Sequence, residues 1–399
     1  MTKEEYHALK KKKEHAQAVE RASYKASKGP ADLPFLLLVL LLTGIGLIMM
    51  FSASFPSAYY ESGDGAYYFK RQLVFAILGI AAMLVLGRIN YARWRGISRI
   101  AMFVALFLLV LVIIPGVGIT RNNATRWLGV GEVLTFQPSE IAKLAVVLYF
   151  ANSISMKKEK MLDFREGVLP YMAYLGIFAV LMMLEPHLSG TIIIVVTGAV
   201  MMVLGGIRGW LVALGLGGAG LGAFTYVKLV EKGIIHYGAG RIQMWHDPWQ
   251  DFLGDGWQQC QCLISIGSGG LWGVGLGKSR QKFLYLPEEH NDCIFAIVCE
   301  ELGLIGACVI MLLFAALIIR GFWIALHARD RFGALLAAGI MTQIGLQTFL
   351  NIAVVSGLVP NTGVSLPFFS YGGTALALQL AEMGLVLSVS RQIGAPKAG

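Results

Sequence analysis

The chain has 399 residues, of which 56% are hydrophobic and 14% charged, and its mean hydropathy is +0.65. A soluble globular domain is about 45–50% apolar and about 25% charged, so this composition excludes a water-soluble protein, and with it a disordered, collagenous or disulfide-framework one. The net charge of +9, from 33 Lys and Arg against 24 Asp and Glu, points to nucleic acid or to a membrane surface, and the placement of the charges decides between them.

A basic tail occupies residues 1–32. Ten apolar runs follow, each near the ~20 residues that cross a bilayer: about 33–54, 72–87, 98–118, 138–156, 168–185, 188–206, 209–229, 292–319, 332–356 and 366–389. The expected fold is therefore an all-α integral membrane protein of about ten transmembrane helices spanning 33–391, with a short tail at 392–399. No small-residue cleavage site follows the first run, which reads as an uncleaved anchor. The sixth and seventh runs are separated only by Gly205-Gly206-Ile207-Arg208, so nine spans is the alternative count. Ten spans place 22 of the 33 Lys and Arg on the side of the N-terminal tail. Nine would move Arg320, Arg329 and Arg331 to the other side. Basic residues mark the cytoplasmic side, so both termini are expected there, in the cell membrane. The positive balance is then mostly topology, with no nucleic-acid partner.

Two segments on the opposite, extracytoplasmic side are long: 118–137, and about 230–291 between helices 7 and 8. Long segments in a compact bundle are usually functional or disordered. The second holds Trp245, Trp249, Trp257 and Trp272 among many glycines, and is expected to pack against the mouth of the bundle and partly re-enter it. Its GSGGLWGVGLGKS stretch invites comparison with a phosphate loop but has Trp272 where that motif needs a glycine five places before Gly277. The glycines serve either a lipid head-group phosphate or tight turns and close helix contact. The five cysteines, Cys260, Cys262, Cys293, Cys299 and Cys308, show no metal-ligand spacing and read as small buried hydrophobes.

The stretch LYLPEEHNDCIFAIVCEELG (284–303) carries the densest chemistry. Asn291 or Asp292 is a natural N-cap for the helix that follows. The alternative is a carboxylate at a cavity mouth, its pKa raised by burial, suited to general-base work. Glu300 and Glu301 lie about 12 Å deeper at 1.5 Å per residue. Charges inside a span mark a functional site by default, and Lys143 in the fourth span is their candidate partner. EPHLSGT (185–191) and GLVPNTGVSLPFFSYGGTA (357–375) face the same side. The prolines and glycines of the latter break a helix at membrane depth, which is tolerated where it lines a cavity or is buried in protein.

These motifs, together with NNATRWLGVGEVLTFQPSEIAKL and RIQMWHDPWQDFLGDGWQQCQCLISIGSGG, resemble the FtsW/RodA/SpoVE (SEDS) family over about residues 33–391, and GLGKSRQKFLYLPE is closest to its division and sporulation branch. The resemblance implies a peptidoglycan glycosyltransferase that polymerises lipid II at the outer membrane face. An acceptor hydroxyl attacks the anomeric carbon of the donor, and undecaprenyl pyrophosphate leaves with inversion. It also implies a class B penicillin-binding protein, a transpeptidase, as partner, with other divisome proteins. The family's essential aspartate carries over onto Asp292 and its tryptophan onto Trp127. The chain departs from the usual pattern at Asn291, Cys293 and Cys262, and at His187, where an acidic residue is usual.

On this reading Asp292 accepts the acceptor's proton. Arg126, Arg241 and Lys278 meet the pyrophosphate, and Glu288 and His290 join Trp127 in holding substrate. A divalent cation (Mg or Mn) is a further candidate for that charge, although no ligand spacing demonstrates one. Two readings of other classes stay open: a lipid II transporter or flippase, and a non-enzymatic divisome scaffold.

Overall fold

In lipid every backbone N–H and C=O has to be satisfied within the protein, which makes helices the natural form of apolar runs. The computed structural model describes residues 29–121, 124–130, 134–231 and 244–393. In it each of the ten runs coincides with a helix: α1 Leu33–Ser62, α2 Tyr67–Leu86, α3 Trp94–Ile113, α4 Pro138–Lys157, α5 Leu169–Leu184, α6 Leu188–Leu204, α7 Gly209–Glu231, α9 Ile294–Leu326, α10 Arg331–Val355 and α11 Gly373–Ser390. The helix α8, Trp257–Gly269, lies in the long segment before α9. Eight of the ten are long and apolar enough to cross a membrane. The others are α6, with 17 residues, and α4, which carries Glu140, Lys143 and Lys157. The chain is a multi-pass membrane protein.

Local signals set the helix ends. Asp32 caps α1 by accepting from the Phe35 N–H at 3.0 Å, and Gly63 ends it in the left-handed conformation. Asp330 caps α10 in the same way through the Gly333 N–H. Asp32 also takes a two-pronged ion pair from Arg320, and the Gly29 N–H donates to the Arg391 carbonyl at 3.0 Å, so α1, α9 and the end of α11 meet at one end of the bundle. Most residues of α10 and α11 are buried, whereas the described residues of α7 are mostly exposed, so the bundle is built around the first two and α7 lies at its edge.

The bundle is all-α as expected, and one segment between the helices adds a small sheet. Part of 118–137 folds as an antiparallel meander of β1 Ile119–Arg121, β2 Ala124–Val130 and β3 Leu134–Phe136, with Ile119 opposite Trp127 and Leu128 opposite Phe136. The β-branched and aromatic residues of ATRWLGV suit a pleated, half-buried surface.

The eighth run is also not one continuous helix. Gly303 inside α9 has φ +68° and breaks the hydrogen-bond ladder. The glycine-rich turn after α8 takes over the lost bonds. Val274 and Gly275 donate to the carbonyls of Glu300 and Glu301 at 2.9 and 3.1 Å, while Leu304 and Ile305 donate to those of Gly270 and Leu271 at 2.9 and 3.2 Å. This satisfies backbone groups that would otherwise be orphaned. Of the two roles open to the glycines, close backbone contact is therefore the one present, and these N–H groups are not free for a phosphate. A Cβ on residue 303 would lie 2.3 Å from the Gly273 nitrogen. Gly303→Ala is expected to cost about 3 kcal/mol from backbone strain and overpacking, read as a lowered thermal-unfolding midpoint in detergent.

Candidate active site

At the end of the bundle away from the Asp32–Arg320 pair, the helix ends, the meander and the segment between α10 and α11 enclose a cavity of about 1250 Å³. Asp292 lines it. The turn that carries Asp292 is built locally. Glu288 adopts φ +55°, and its carbonyl accepts from the N–H groups of Asn291 and Cys293 at 3.0 and 3.2 Å. Asn291 also donates through Nδ2 to the Glu288 carboxylate at 2.6 Å. The helix begins only at Ile294 with Cys293 as its cap residue, and no side chain caps it. Asp292 is therefore not the N-cap that the sequence also allowed.

The turn is then clamped from the far end of the chain. Three successive carbonyls accept bonds: His290 from the Tyr371 N–H at 2.8 Å, Asn291 from Ser370 Oγ at 2.7 Å, and Asp292 from Asn351 Nδ2 at 2.8 Å. Asn351 is buried in α10 and also donates to the Val364 carbonyl at 2.6 Å. Nothing in the local sequence of 284–303 announces Asn351 as the residue that positions Asp292. The Asp292 carboxylate itself makes no hydrogen bond or ion pair among the described residues. Its Oδ2 faces Gly363, where a Cβ would come within 3.1 Å at φ +67°. Desolvation, then the charge of Glu288, raises its pKa to about 6, with Arg126 and His290 pulling the other way.

Arg126 and Trp127 on β2 line the same cavity. Arg126 is fixed by donating Nε to the Glu185 carbonyl at 3.3 Å and Nη2 to the Pro186 carbonyl. Behind it, Glu185 and His187 are buried, and among the described residues the Glu185 oxygens and His187 Nδ1 have no hydrogen-bond partner. Burial raises Glu185 to about 8 against the pull of Arg126. Burial, then Arg126 and Lys143, lowers His187 to about 3. His187 is thus a neutral imidazole at pH 7 and does not supply the negative charge of the acid usual at that position.

Lys143 lines the cavity, but its partners correct the expected pairing. It bonds Glu140 at 2.8 Å and Gln347 at 3.1 Å. Glu300 and Glu301 lie outside the cavity lining. Glu301 pairs with Lys282 at 2.8 Å and accepts from Ser52 of α1 at 2.8 Å. Glu300 accepts from Ser265 at 3.1 Å and from the Arg280 N–H at 2.9 Å. These intramembrane carboxylates stitch the 270–285 segment to α9, a structural role. Lys278 does not line the cavity either, and its stem lies against Gly275. Arg241 falls outside the described residues.

Glu288 and His290 both line the cavity. The His290 ring stacks on Tyr68 at 4.8 Å with Tyr371 edge-on at 5.7 Å, and its Nδ1 lies 3.3 Å from Glu289. The two unusual cysteines are neighbours: Cys262 of α8 lies beside the Cys293 thiol, which is pushed well up by that neighbour and by burial and accepts from Gln258 Nε2 at 3.1 Å. Among the described residues no three His, Cys, Asp or Glu side chains converge as a metal site.

The family described as cell cycle protein, FtsW/RodA/SpoVE, matches residues 33–394. Stage V sporulation protein E of Bacillus subtilis is 44% identical over 365 residues, which is 91% of this chain and 98% of the relative. A probable peptidoglycan glycosyltransferase FtsW of Geobacter sulfurreducens is 39% identical over 92% of this chain and 96% of its own length. Among solved structures, a chain from a peptidoglycan synthase complex that coordinates polymerization and crosslinking superposes with a TM-score of 0.75 at 26% identity, covering 91% of this chain and 98% of that one. The rod shape determining protein RodA of Thermus thermophilus gives 0.66 at 25% identity, covering 91% and 97%.

Proposed function

The chain belongs to the FtsW/RodA/SpoVE family of cell cycle proteins, and from that membership and the cavity around Asp292 we propose that it is a peptidoglycan glycosyltransferase, polymerising lipid II into glycan strands at the outer face of the bacterial cell membrane. One observation carries the reading: a carboxylate with no bonded partner among the described residues, its backbone clamped, faces a large polar cavity. The acceptor's sugar hydroxyl attacks the donor's anomeric carbon from one side. The bond from that carbon to the pyrophosphate oxygen breaks on the other, which inverts the centre. The hydroxyl proton passes to Asp292 as the new glycosidic bond forms. Arg126 offers a planar fork to the departing pyrophosphate, and Lys143, held by Glu140 and Gln347, lies on the same cavity wall. Trp127 offers an indole face to a sugar ring.

A class B penicillin-binding protein is the partner this reading expects, since polymer needs crosslinking. The transport reading is weaker. The deep charges are already satisfied, Lys282 and Glu301 by each other and Glu300 by Ser265, Ser279 and the Arg280 N–H, so they do not mark a path across the membrane. The deciding experiment combines the purified protein with its transpeptidase and lipid II in detergent and looks for glycan polymer. Polymer is expected from the wild type and none from Asp292→Ala. Unchanged polymer from the variant removes Asp292 from the chemistry, and none from the intact pair returns the transport and scaffold readings. Topology has its own test. A cysteine at Asp255 is expected to react with an impermeant thiol reagent from outside the cell and one at Glu159 to stay unlabelled, and the reverse pattern overturns the orientation.

A further inference from the structure

Two of the residues at which the chain departs from its family pattern, Cys262 and Cys293, lie side by side next to Asp292. The packing of α8 on α9 puts them there. Ser265 Oγ donates to the Ala296 carbonyl at 3.2 Å, 31 residues further along the chain. A Cβ at Gly269 would overlap the Cys299 carbonyl oxygen and lie 3.0 Å from the Glu300 Cα, again at that offset. The two helices therefore run in the same direction, in one register and at backbone contact. One turn back, the register sets Cys262 opposite Cys293, and the two thiols are neighbours there. Both are free thiols in the structure. They are 2% and 4% exposed, and neither lines the cavity. Cys260 points elsewhere: it lies about 200° around α8 at 100° per residue, and its thiol donates to the Pro248 carbonyl at 3.3 Å.

A disulfide needs Cα atoms about 4.4–6.8 Å apart, a spacing that side-by-side helices reach only in backbone contact, as these do at Gly269. Disulfides persist on the outer, oxidising side of a cell membrane, which is where the proposed topology places this segment. We propose that Cys262 and Cys293 are joined by a disulfide that ties α8 to the turn carrying Asp292, made by a disulfide-carrying thiol oxidoreductase while the outer segment folds. One cysteine thiolate attacks the carrier's disulfide and releases one carrier thiol. The other attacks the mixed disulfide and releases the second. Two cysteine S–H bonds and the carrier S–S bond are lost, and one cysteine S–S bond and two carrier S–H bonds form. Thiols this buried are closed to a protein-sized carrier once α8 has docked, so the bridge forms before docking and is shielded from reductant after it. The turn, already clamped through its carbonyls from α10 and α11, is then held from α8 as well. Gln258 carries the tie to the cavity wall: its Nε2 donates to Cys293 Sγ at 3.1 Å and its Oε1 accepts from Asn361 at 2.7 Å.

The test dissolves membranes holding the full chain directly in SDS with N-ethylmaleimide and maps the cysteines by mass spectrometry without reduction. The expected result is a linked peptide pair, Cys262 to Cys293, with Cys260, Cys299 and Cys308 alkylated. Cys262→Ala is expected to abolish the link, leave Cys293 alkylated and lower the thermal-unfolding midpoint in detergent by about 5 °C. Dithiothreitol is expected to leave the bridge closed in the folded protein and to open it once SDS is present. Cys262 and Cys293 both alkylated in the wild type overturn the proposal, as does a link from either to Cys260, Cys299 or Cys308. A bridge that dithiothreitol opens in the folded protein overturns its closure ahead of docking. The wild-type map stands whether or not the variant folds. Free thiols in a chain whose Asp255 cysteine reacts from outside sink the bridge and leave the orientation standing, whereas free thiols with the reverse labelling sink both.

Discussion

Replacing Asp292 with asparagine lowers the polymerisation rate by roughly 10²–10⁴-fold, the usual contribution of a positioned general base. It also erases the acid limb of the pH profile. In the wild type the carboxyl has a pKa of about 6. Only the ionised form accepts the hydroxyl proton, so kcat/KM rises about tenfold per pH unit below that value and levels off above it. An unshifted aspartate would place the bend near 4. The two thus differ by about two pH units, which initial rates measured from pH 4.5 to 8 resolve. The asparagine variant is expected to stay folded. The wild-type carboxylate bonds nothing among the described residues, and the backbone carbonyl at 292 keeps its bond from Asn351. A profile that bends near 4, or full activity in the variant, removes Asp292 from the proton transfer.

Lys282→Met is expected to cost stability more than any change at the cavity. Lys282 and Glu301 are 4% and 0% exposed, and Lys282 also donates to Ser52 at 3.0 Å. Removing the ammonium leaves an uncompensated buried carboxylate, typically about 3–5 kcal/mol. The loss reads out as a collapse of the thermal-unfolding midpoint in detergent. The double variant Lys282→Met, Glu301→Gln removes both charges and is expected to regain much of that loss, because a neutral amide keeps the bond from Ser52 at little desolvation cost. A double variant as unstable as the single would show that packing, not charge, holds this contact. Neither variant touches the cavity lining. Polymerisation per folded molecule is therefore expected to change far less than for Asp292→Asn, which separates the structural carboxylate from the catalytic one.

The failure of the Lys143 pairing explains what a linear reading can reach. Depth along a helix was legible: Lys143 and Glu301 both lie inside spans. Which helix faces which was not, because lateral packing depends on contacts between residues hundreds of positions apart. Lys143 found Glu140 one turn away, a local pair visible at i, i+3. Glu301 found a lysine in the 270–285 segment and a serine in α1. The same limit hid Asn351, Gln347 and the β-meander's hold on the turn after α5. Arg126-Trp127 and Asp292 were legible because each sits in a dense local motif.

Hydropathy alone determined that the chain crosses a membrane and where its ten apolar helices lie, because hydrocarbon admits only segments that satisfy their own backbone. Motif residues alone pointed to Asp292 as the centre of the proposed chemistry. Tertiary structure decided which carboxylates are tied into the fold and which one faces the cavity, and that distinction rests on whether a carboxylate already has its hydrogen bonds. Glu300 and Glu301 have theirs, whereas Asp292 is left facing an open cavity by a backbone clamped from α10 and α11.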